Sequence, residues 1–157
     1  MYTVKKIPLY HIGAFWQIAA LLSACGDDMQ QKYGLLHWKN SHFKSFLIAY
    51  YTALKNTVYA VFDANRAMVA TFQTAFRDEA LHFGKLAVNP HKAGIGIGGF
   101  CLSYMEDMAK KENLSALICE VYEKSEHAIA FYRKRGFETV GECQTRKYRE
   151  LLLKKDL

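Results

Sequence analysis

Residues 88–99 read Val-Asn-Pro-His-Lys-Ala-Gly-Ile-Gly-Ile-Gly-Gly. An apolar, strand-like run precedes this stretch and a helical pattern follows it, so four glycines within six residues lie between a strand and a helix. Glycine has no side chain to keep a ligand away from the main chain, and the first N–H groups of a helix carry the positive end of its dipole. The stretch therefore predicts a binding site for a phosphate or pyrophosphate group.

The patterns on either side of these glycines predict a mixed α/β fold. Strands are expected over residues 3–9, 57–62, 67–76, 80–88, 116–121, 137–142 and 148–154, and helices over about 12–25, 41–54, 97–108 and 125–136. Short connections make the second, third and fourth strands an antiparallel meander. The helix that separates the fourth strand from the fifth makes those two a parallel pair.

Composition and charge limit the classes of protein that this chain can represent. Its 157 residues, 51% hydrophobic and 23% charged, suit one folded domain rather than a disordered chain. No apolar run approaches the roughly 18 residues that span a bilayer, so no membrane partner is expected. The net charge of +6 would attract nucleic acid or a phosphorylated small molecule alike. Zinc-finger and RNA-binding signatures are absent from the sequence, so no nucleic-acid partner is expected.

The cysteines Cys25, Cys101, Cys119 and Cys143 are too far apart in sequence for a CxxC pair. The histidines supply no other half of a zinc site. No metal site is therefore expected, and we interpret the cysteines as reduced, mostly buried residues of a cytoplasmic protein.

The first helix overlaps a competing pattern. Leu22-Ser23-Ala24-Cys25 resembles the lipobox of a bacterial lipoprotein signal, in which Cys25 would be lipidated. However, apolar residues recur at three- and four-residue steps from Ile12 to Leu22, as in an amphipathic core helix. The core helix, ending near Gly26, is the favoured interpretation.

The second helix is expected to begin at Ser41, a suitable N-cap residue. Its predicted apolar face comprises Phe43, Phe46, Leu47, Tyr50 and Leu54. The loop between the first two helices contains His37 and Trp38, and we expect it to expose aromatic surface.

A dinucleotide-binding site is one interpretation of the glycines, because Gly94, Gly96 and Gly99 satisfy GxGxxG. Glu120 also ends the next strand, where such a fold places its ribose-binding acid. Against this, five residues separate the strand from the first glycine, and antiparallel-looking strands precede it.

Two motifs carry a resemblance to a family. Residues 88–98 resemble the acetyl-CoA loop of the GNAT N-acetyltransferases, usually written as Gln or Arg, two residues, Gly, one residue, Gly or Ala. Residues 125–137, Ser-Glu-His-Ala-Ile-Ala-Phe-Tyr-Arg-Lys-Arg-Gly-Phe, resemble the second signature of that family, Asn-x-x-Ala through Tyr to Gly-Phe. The resemblance is strong over residues 80–157, whereas over residues 1–79 only the order of elements agrees.

The resemblance implies an α/β (α+β) fold with one GNAT-like domain over residues 1–157. Its mixed, largely antiparallel sheet would contain a central, splayed parallel strand pair and carry helices on both faces. The implied activity is transfer of acetyl from acetyl-CoA to a primary amine by direct attack in a ternary complex, without a metal. The implied cofactor-binding residues are Leu86, Ala87, Val88, Ala93, Gly94, Ile95, Gly96, Ile97, Gly98, Gly99 and Ser125. Tyr132 matches the tyrosine that protonates the departing thiolate as general acid.

Two positions depart from the family pattern. Ala93 stands where the family prefers Gln or Arg, which removes one side-chain contact to the pyrophosphate, and His91 or Lys92 could compensate through charge. Ser125 replaces a frequent Asn, although serine can still cap the helix and offer a hydroxyl to the cofactor.

The general base and the acceptor are less well defined. Some family members use a Glu on the fourth strand, but this strand has Lys85 near that place, so the candidates for the base are His82 and Glu79. His37 and Trp38, with Phe43 and Tyr50, could line a pocket for an amine of a small molecule or a peptide. Dimers are common in the family, so a homodimer stays among the expected assemblies.

Two other functions remain alternatives at this point. One is a non-catalytic acyl-CoA-binding module that lacks a carboxylate base. The other is a nicotinamide-dependent oxidoreductase that uses the GxGxxG pattern.

Overall fold

The computed structural model describes residues 1–39 and 42–157, except for the side chains of residues 42–44. The elements are β1 (Thr3–Lys6), α1 (Ile12–Tyr33), α2 (His42–Ala53), β2 (Thr57–Phe62), β3 (Met68–Arg77), β4 (Ala80–Val88), α3 (Ile97–Lys111), β5 (Ala116–Tyr122), α4 (Glu126–Arg133), β6 (Glu138–Gln144) and β7 (Arg149–Asp156). Ser41, the predicted N-cap of the second helix, and the side chain of Phe43 lie outside the described part of the chain.

Within the described residues, one sheet of seven strands runs in the order β1-β2-β3-β4-β5-β7-β6. β4 and β5 are parallel, and the pairs β1–β2, β2–β3, β5–β7 and β6–β7 are antiparallel. The predicted fold class, a mixed and largely antiparallel sheet with a central parallel pair, is confirmed. The chain divides into two compact units, residues 1–75 with 85–102 and residues 76–84 with 103–157.

In the first unit, α1 and α2 pack against one face of β2. The core there contains Phe15 and Ile18 of α1, Ala49 of α2, and Val58 and Ala60 of β2, none more than 1% exposed. These residues recur at helical spacing on α1 and at alternate positions on β2, which is why the apolar pattern predicted both elements.

The prediction for the end of α1 was wrong, because the helix continues past Gly26 to Tyr33. Its end is set by Gly34, which has a φ of 68° and donates its N–H to the carbonyl oxygen of Gln30. A glycine in the left-handed conformation is the usual residue at this point. The predicted apolar stripe is buried from Phe15 to Leu22, whereas its first residue, Ile12, is 43% exposed. Cys25 is buried in the same core.

The predicted apolar face of α2 was only partly correct. Leu47 and Leu54 are 49% and 60% exposed, whereas Phe46 and Tyr50 stack on each other at 5.9 Å between ring centroids. The buried side of the helix also includes Ser45, which is 2% exposed. Ser45 and Ala49 are thus the buried residues in the described part of α2, and Phe46 and Tyr50 pack against the same core, whereas Leu47 is exposed.

In the second unit, Leu81 of β4, Leu117 of β5 and Leu153 of β7 are fully buried. An ion pair joins Lys155 Nζ to Glu106 Oε1 at 2.6 Å, which connects β7 to α3. α4 ends at Arg133, earlier than expected, and a turn then leads to Gly136 at a φ of 85°. Glycine accommodates this left-handed turn, so the residue was identified correctly although the helix ends before it.

Among the described residues, no helix combines the length and the apolar character needed to cross a membrane.

Candidate functional site

The glycine stretch forms an exposed loop of the first unit. After β4 ends, Pro90–Lys92 make one short 3₁₀ turn, in which the side chain of Asn89 accepts a hydrogen bond from His91 N at 3.0 Å. Gly94 and Gly96 follow with φ values of 83° and 92°. An ideal Cβ at either glycine would meet no other atom within 4 Å. The loop therefore presents uncovered main chain at its surface.

The loop leads directly into the first turn of α3. Phe100 N donates to Gly96 O at 2.9 Å, and Ile97 is buried. Ile95 is 64% exposed, so the two isoleucines between the glycines have opposite environments. The buried isoleucine holds the start of the helix on the unit, while the glycines stay accessible. This geometry can accept an anion at the N–H groups of the helix start.

The basic residues beside the loop differ in their availability. Lys92 Nζ pairs with Asp63 Oδ2 at 2.5 Å. This hydrogen bond is the main reason why the pKa of the Asp63 carboxyl is lowered. His91 is exposed. Of the two residues expected to compensate for Ala93, Lys92 is thus already engaged by a carboxylate.

The parallel ladder of β4 and β5 is short. It runs from the pair Ala80–Ala116 to the pair Phe83–Cys119, although β4 continues to Val88. Lys85 follows with a φ of 48°, a left-handed conformation that side chains rarely adopt within a strand. An irregularity of this kind bends a strand and disrupts its ladder, here just after the last pair between β4 and β5.

The directions of the main-chain N–H and C=O groups at the end of β4 follow from one hydrogen bond. Asn89 N donates to Val69 O of β3 at 2.8 Å. Because the main-chain groups of successive strand residues point to opposite sides, those of Val88 and Leu86 point away from β3, and those of Ala87 point toward it. Of the three strand residues predicted to bind cofactor, Leu86 and Val88 have the orientation that a ligand alongside β4 would need.

The loop with His37 and Trp38 is less exposed than expected. Lys39 N donates to Leu36 O at 3.0 Å, which makes a turn. Trp38 is half-buried and packs against the core of the first unit together with Met29. The ring centroids of His37 and Trp38 are 6.5 Å apart. The aromatic surface therefore belongs to an ordered loop that folds back on α1.

Tyr132 lies on α4 in an aromatic cluster of the second unit. Its ring centroid is 5.8 Å from that of Phe83 and 5.4 Å from that of Phe137, and the residue is 8% exposed. The ring centroids of Phe83 and Phe137 are themselves 5.9 Å apart, so the three rings form one compact cluster whose packing restricts the orientation of the tyrosine ring. Whether the hydroxyl transfers a proton stays a prediction.

His82 lies on β4 opposite Ile118 of β5. Its Nε2 is buried, and no hydrogen-bond partner for this atom occurs in the described part of the chain. Burial is the main cause that lowers the pKa of His82 below its usual 6.5, and the positive charge of Arg77 acts in the same direction. The carboxylate of Glu120 opposes this shift. The imidazole is therefore neutral near pH 7 and can accept a proton.

Glu79, the other candidate base, is exposed in the tight turn between β3 and β4. Its φ is 60°, and its carbonyl oxygen accepts a hydrogen bond from Ser115 N at 2.9 Å. Ser125 occupies the N-cap position of α4, as expected, but it is 2% exposed and its side chain makes no capping hydrogen bond to the helix in the described structure. The capping role predicted for this hydroxyl was wrong.

The cysteines are reduced, and three of the four described are buried, whereas Cys143 is only half-buried. Cys143 pairs with Glu150 across β6 and β7, and one ligand atom each of Glu120, Cys143 and Glu150 lie within 4.8 Å of one another. Sequence spacing did not suggest this group, because three different strands contribute it. Burial, followed by the nearby carboxylates, raises the pKa of the Cys143 thiol.

Comparison with sequence families decides the assignment of the chain. The sequence model described as "Acetyltransferase (GNAT) family" matches residues 17–137, which is most of the chain. The chain belongs to the GNAT acetyltransferase family. For this GNAT protein, membership indicates acyl transfer as the general class of reaction. A comparison with curated proteins finds no match.

Solved structures agree with this assignment at the level of the fold. A GNAT-family acetyltransferase from Staphylococcus aureus is 12% identical, with a TM-score of 0.72 over 100% of this chain and 99% of that one. The PaiA N-acetyltransferase from Thermoplasma acidophilum, solved in complex with coenzyme A, is 14% identical, with a TM-score of 0.69 over 100% and 99%. An IAA acetyltransferase from Bacillus cereus is 18% identical, with a TM-score of 0.69 over the whole of both chains. At these identities the likeness concerns the fold alone.

Proposed function

We propose that this GNAT protein is a single-domain N-acetyltransferase, which moves the acetyl group of acetyl-CoA to a primary amine of a small molecule or peptide. The acceptor nitrogen attacks the thioester carbonyl carbon, a C–N bond forms, and the C–S bond breaks. The amine loses one proton to a base, and the thiolate of coenzyme A gains one from an acid. The two proton transfers balance the reaction.

The observation that carries this proposal is the conformation of the glycine loop. Gly94 and Gly96 hold left-handed φ angles, and an added Cβ at either would point into open space. Their missing side chains leave main-chain N–H groups accessible directly before a helix of 15 residues. This is the arrangement that a diphosphate group requires, and it supports a role for the backbone from Ala93 to Gly99 in binding it.

The end of β4 supports the second part of cofactor binding. The main-chain groups of Leu86 and Val88 point away from β3, as the hydrogen-bond alternation requires, and the carbonyl oxygen of Val88 also accepts a hydrogen bond from Cys25 Sγ. A pantetheine arm, which contains two amides, can hydrogen-bond to such groups as an added strand would. Ala87 contributes through its small, buried side chain, which keeps the strand packed on the core.

Tyr132 is the proposed general acid, and His82 is the proposed general base. A phenol hydroxyl such as that of Tyr132 can donate a proton to a departing thiolate. His82 is favoured over Glu79 because its buried Nε2 makes no hydrogen bond within the described residues and its lowered pKa keeps it neutral. His37 and Trp38, on their ordered loop, are proposed to contact the acceptor.

Two measurements test this function. Calorimetry with acetyl-CoA and with NADH should show binding of acetyl-CoA alone, whereas binding of NADH alone would favour the oxidoreductase. A screen of polyamines, amino acids, aminoglycosides and lysine peptides should then show thiol release from acetyl-CoA with one acceptor class. Binding of acetyl-CoA without thiol release from any amine would favour the non-catalytic module.

The pH dependence tests the role of His82. With this residue as base, kcat/KM should fall as the pH decreases through an apparent pKa below 6.5, because a protonated imidazole cannot accept the amine proton. His82→Gln should lower kcat/KM at pH 7.5 by about 10-fold or more and abolish this acid limb. The pH profile of kcat/KM, recorded with saturating acetyl-CoA, checks both expectations.

The control for this variant is His11→Gln, since His11 is exposed at the start of α1. Acid stability must be followed in parallel, because His82 titrates differently in the folded and unfolded chain. Its pKa is lowered by folding, so its contribution favours the folded state above about pH 6.5 and is lost as the pH falls through the lowered pKa. A His82→Gln profile that retains the acid limb would exclude His82 as the base.

A further inference from the structure

Gly26, the buried glycine of α1, lies in close contact with the main chain of the loop that follows the helix. An ideal Cβ on Gly26 would lie 2.8 Å from the carbonyl carbon of Trp38 and 3.2 Å from Cα of Lys39, and it would be closer still to the carbonyl oxygen of Trp38. These neighbours are main-chain atoms, so they cannot rotate aside as the end of a flexible side chain can. Only glycine at this position allows the loop to lie directly on the helix.

Further contacts hold the same loop on α1. Leu35 N donates to Met29 O at 3.4 Å, and Lys39 Nζ donates to Oε1 of Gln30. The side chain of Trp38 packs on the core of the first unit, so the residue is held by its ring on one side and by its main chain on the other. Gly26 thus lies beneath Trp38 and Lys39, the loop residues that these contacts hold in place.

The adjacent residue of α1 anchors this turn to the end of β4. Sγ of Cys25 donates a hydrogen bond to Val88 O at 3.1 Å. Burial raises the pKa of this thiol to about 12, so it keeps the proton that it donates. One helical turn therefore touches the loop at Gly26 and the strand end at Cys25, and the loop is placed relative to Val88 through rigid elements.

We infer that Gly26 is a positioning residue, which sets the place of Trp38 and through it the binding of the acceptor amine. This inference rests on the proposed function, because it takes His37 and Trp38 as acceptor contacts. A Cβ at position 26 displaces the main chain of the loop. A misplacement of about 1 Å in a residue that contacts substrate can change the reaction by large factors. The three atoms nearest to this Cβ belong to residues 38 and 39, so we expect the displacement in their loop rather than in the loop with the cofactor glycines.

The test uses the full chain in a Trp16→Phe background, in which Trp38 is the only tryptophan. Gly26→Ala should shift the emission of Trp38 and increase its quenching by acrylamide. With the best acceptor from the amine screen, Gly26→Ala should raise the KM for that amine about 10-fold or more and leave the KM for acetyl-CoA unchanged. Gly13→Ala is the matched control, because Gly13 lies in the same helix and a Cβ there meets nothing within 4 Å.

The possible outcomes separate this inference from the proposed function. Unchanged Trp38 emission and unchanged acceptor KM in a folded Gly26→Ala variant would overturn the positioning role. A shifted emission with an unchanged acceptor KM would overturn it as well, by removing Trp38 from the acceptor site, while acetyl transfer itself would stand. A wild-type protein that releases no thiol with any amine would instead overturn the proposed function. If Gly26→Ala does not fold, Gln30→Ala removes the hydrogen bond from Lys39 without adding atoms, and it should move both measurements in the same direction.

Discussion

Replacing Tyr132 by phenylalanine is expected to lower kcat by more than about 10-fold, with little change in the KM for acetyl-CoA. The substitution removes only the phenol oxygen and keeps the ring contacts with Phe83 and Phe137. The fold of the second unit should therefore persist, and a loss of rate would report the chemistry. Steady-state kinetics with the acceptor from the amine screen, together with a thermal unfolding curve, measures both properties.

The control for Tyr132→Phe is Tyr51→Phe. Tyr51 is 61% exposed on α2, and its ring keeps the contact with Lys55 when the hydroxyl is removed. This variant should retain the wild-type kcat. If Tyr132→Phe retains its kcat and its unfolding temperature, the tyrosine is a packing residue of the aromatic cluster, and another group or water protonates the thiolate.

Local sequence patterns predicted the strands better than the ends of the helices. β2 and β4 have the predicted bounds, since polar turns such as Asp63–Arg66 flank them and their apolar residues suit a strand. In that turn, Oδ1 of Asp63 accepts hydrogen bonds from the N–H groups of Asn65 and Ala67, both at 3.0 Å. Local hydrogen bonds of this kind depend on nearby residues and can be predicted from them.

The end of α1 could not be predicted in the same way. Gly26 and Gly34 are both glycines after an apolar stripe, and either is a possible helix terminus from local preferences. The structure distinguishes them, because Gly34 adopts the left-handed conformation while Gly26 stays helical under the main chain of Trp38. A contact across 12 residues of the sequence determines the role of Gly26, so no local pattern contains it.

The candidate site was predictable where main-chain conformation carries the chemistry. The four glycines predicted a backbone open to a ligand, and an added Cβ at Gly94 or Gly96 meets no other atom within 4 Å. The availability of the basic side chains was less predictable, because Lys92 pairs with Asp63, which lies 29 positions away in the sequence. The buried Nε2 of His82 has no hydrogen-bond partner among the described residues, and this burial likewise depends on neighbours that only the folded chain assembles.

The second large effect is expected from Gly96→Ala, which should raise the Kd for acetyl-CoA about 10-fold or more, equivalent to about 1.4 kcal/mol. At its φ of 92°, alanine is strained by about 1–2 kcal/mol. Either the loop keeps its shape, with a methyl group on the surface that the diphosphate would approach, or the main chain relaxes and the N–H groups after Gly96 turn away. Both responses weaken binding, and titration calorimetry with acetyl-CoA measures the result.

Gly34→Ala separates loss of the anion site from simple backbone strain. Gly34 also has a positive φ, 68°, and an added Cβ there also meets nothing within 4 Å. Both variants should lower the unfolding temperature, because each forces alanine into a left-handed conformation. Only Gly96→Ala should raise the Kd, since Gly34 ends α1 and lies outside the cofactor loop. If Gly96→Ala loses stability but binds acetyl-CoA as tightly as the wild type, the diphosphate lies elsewhere and the proposed cofactor site is wrong.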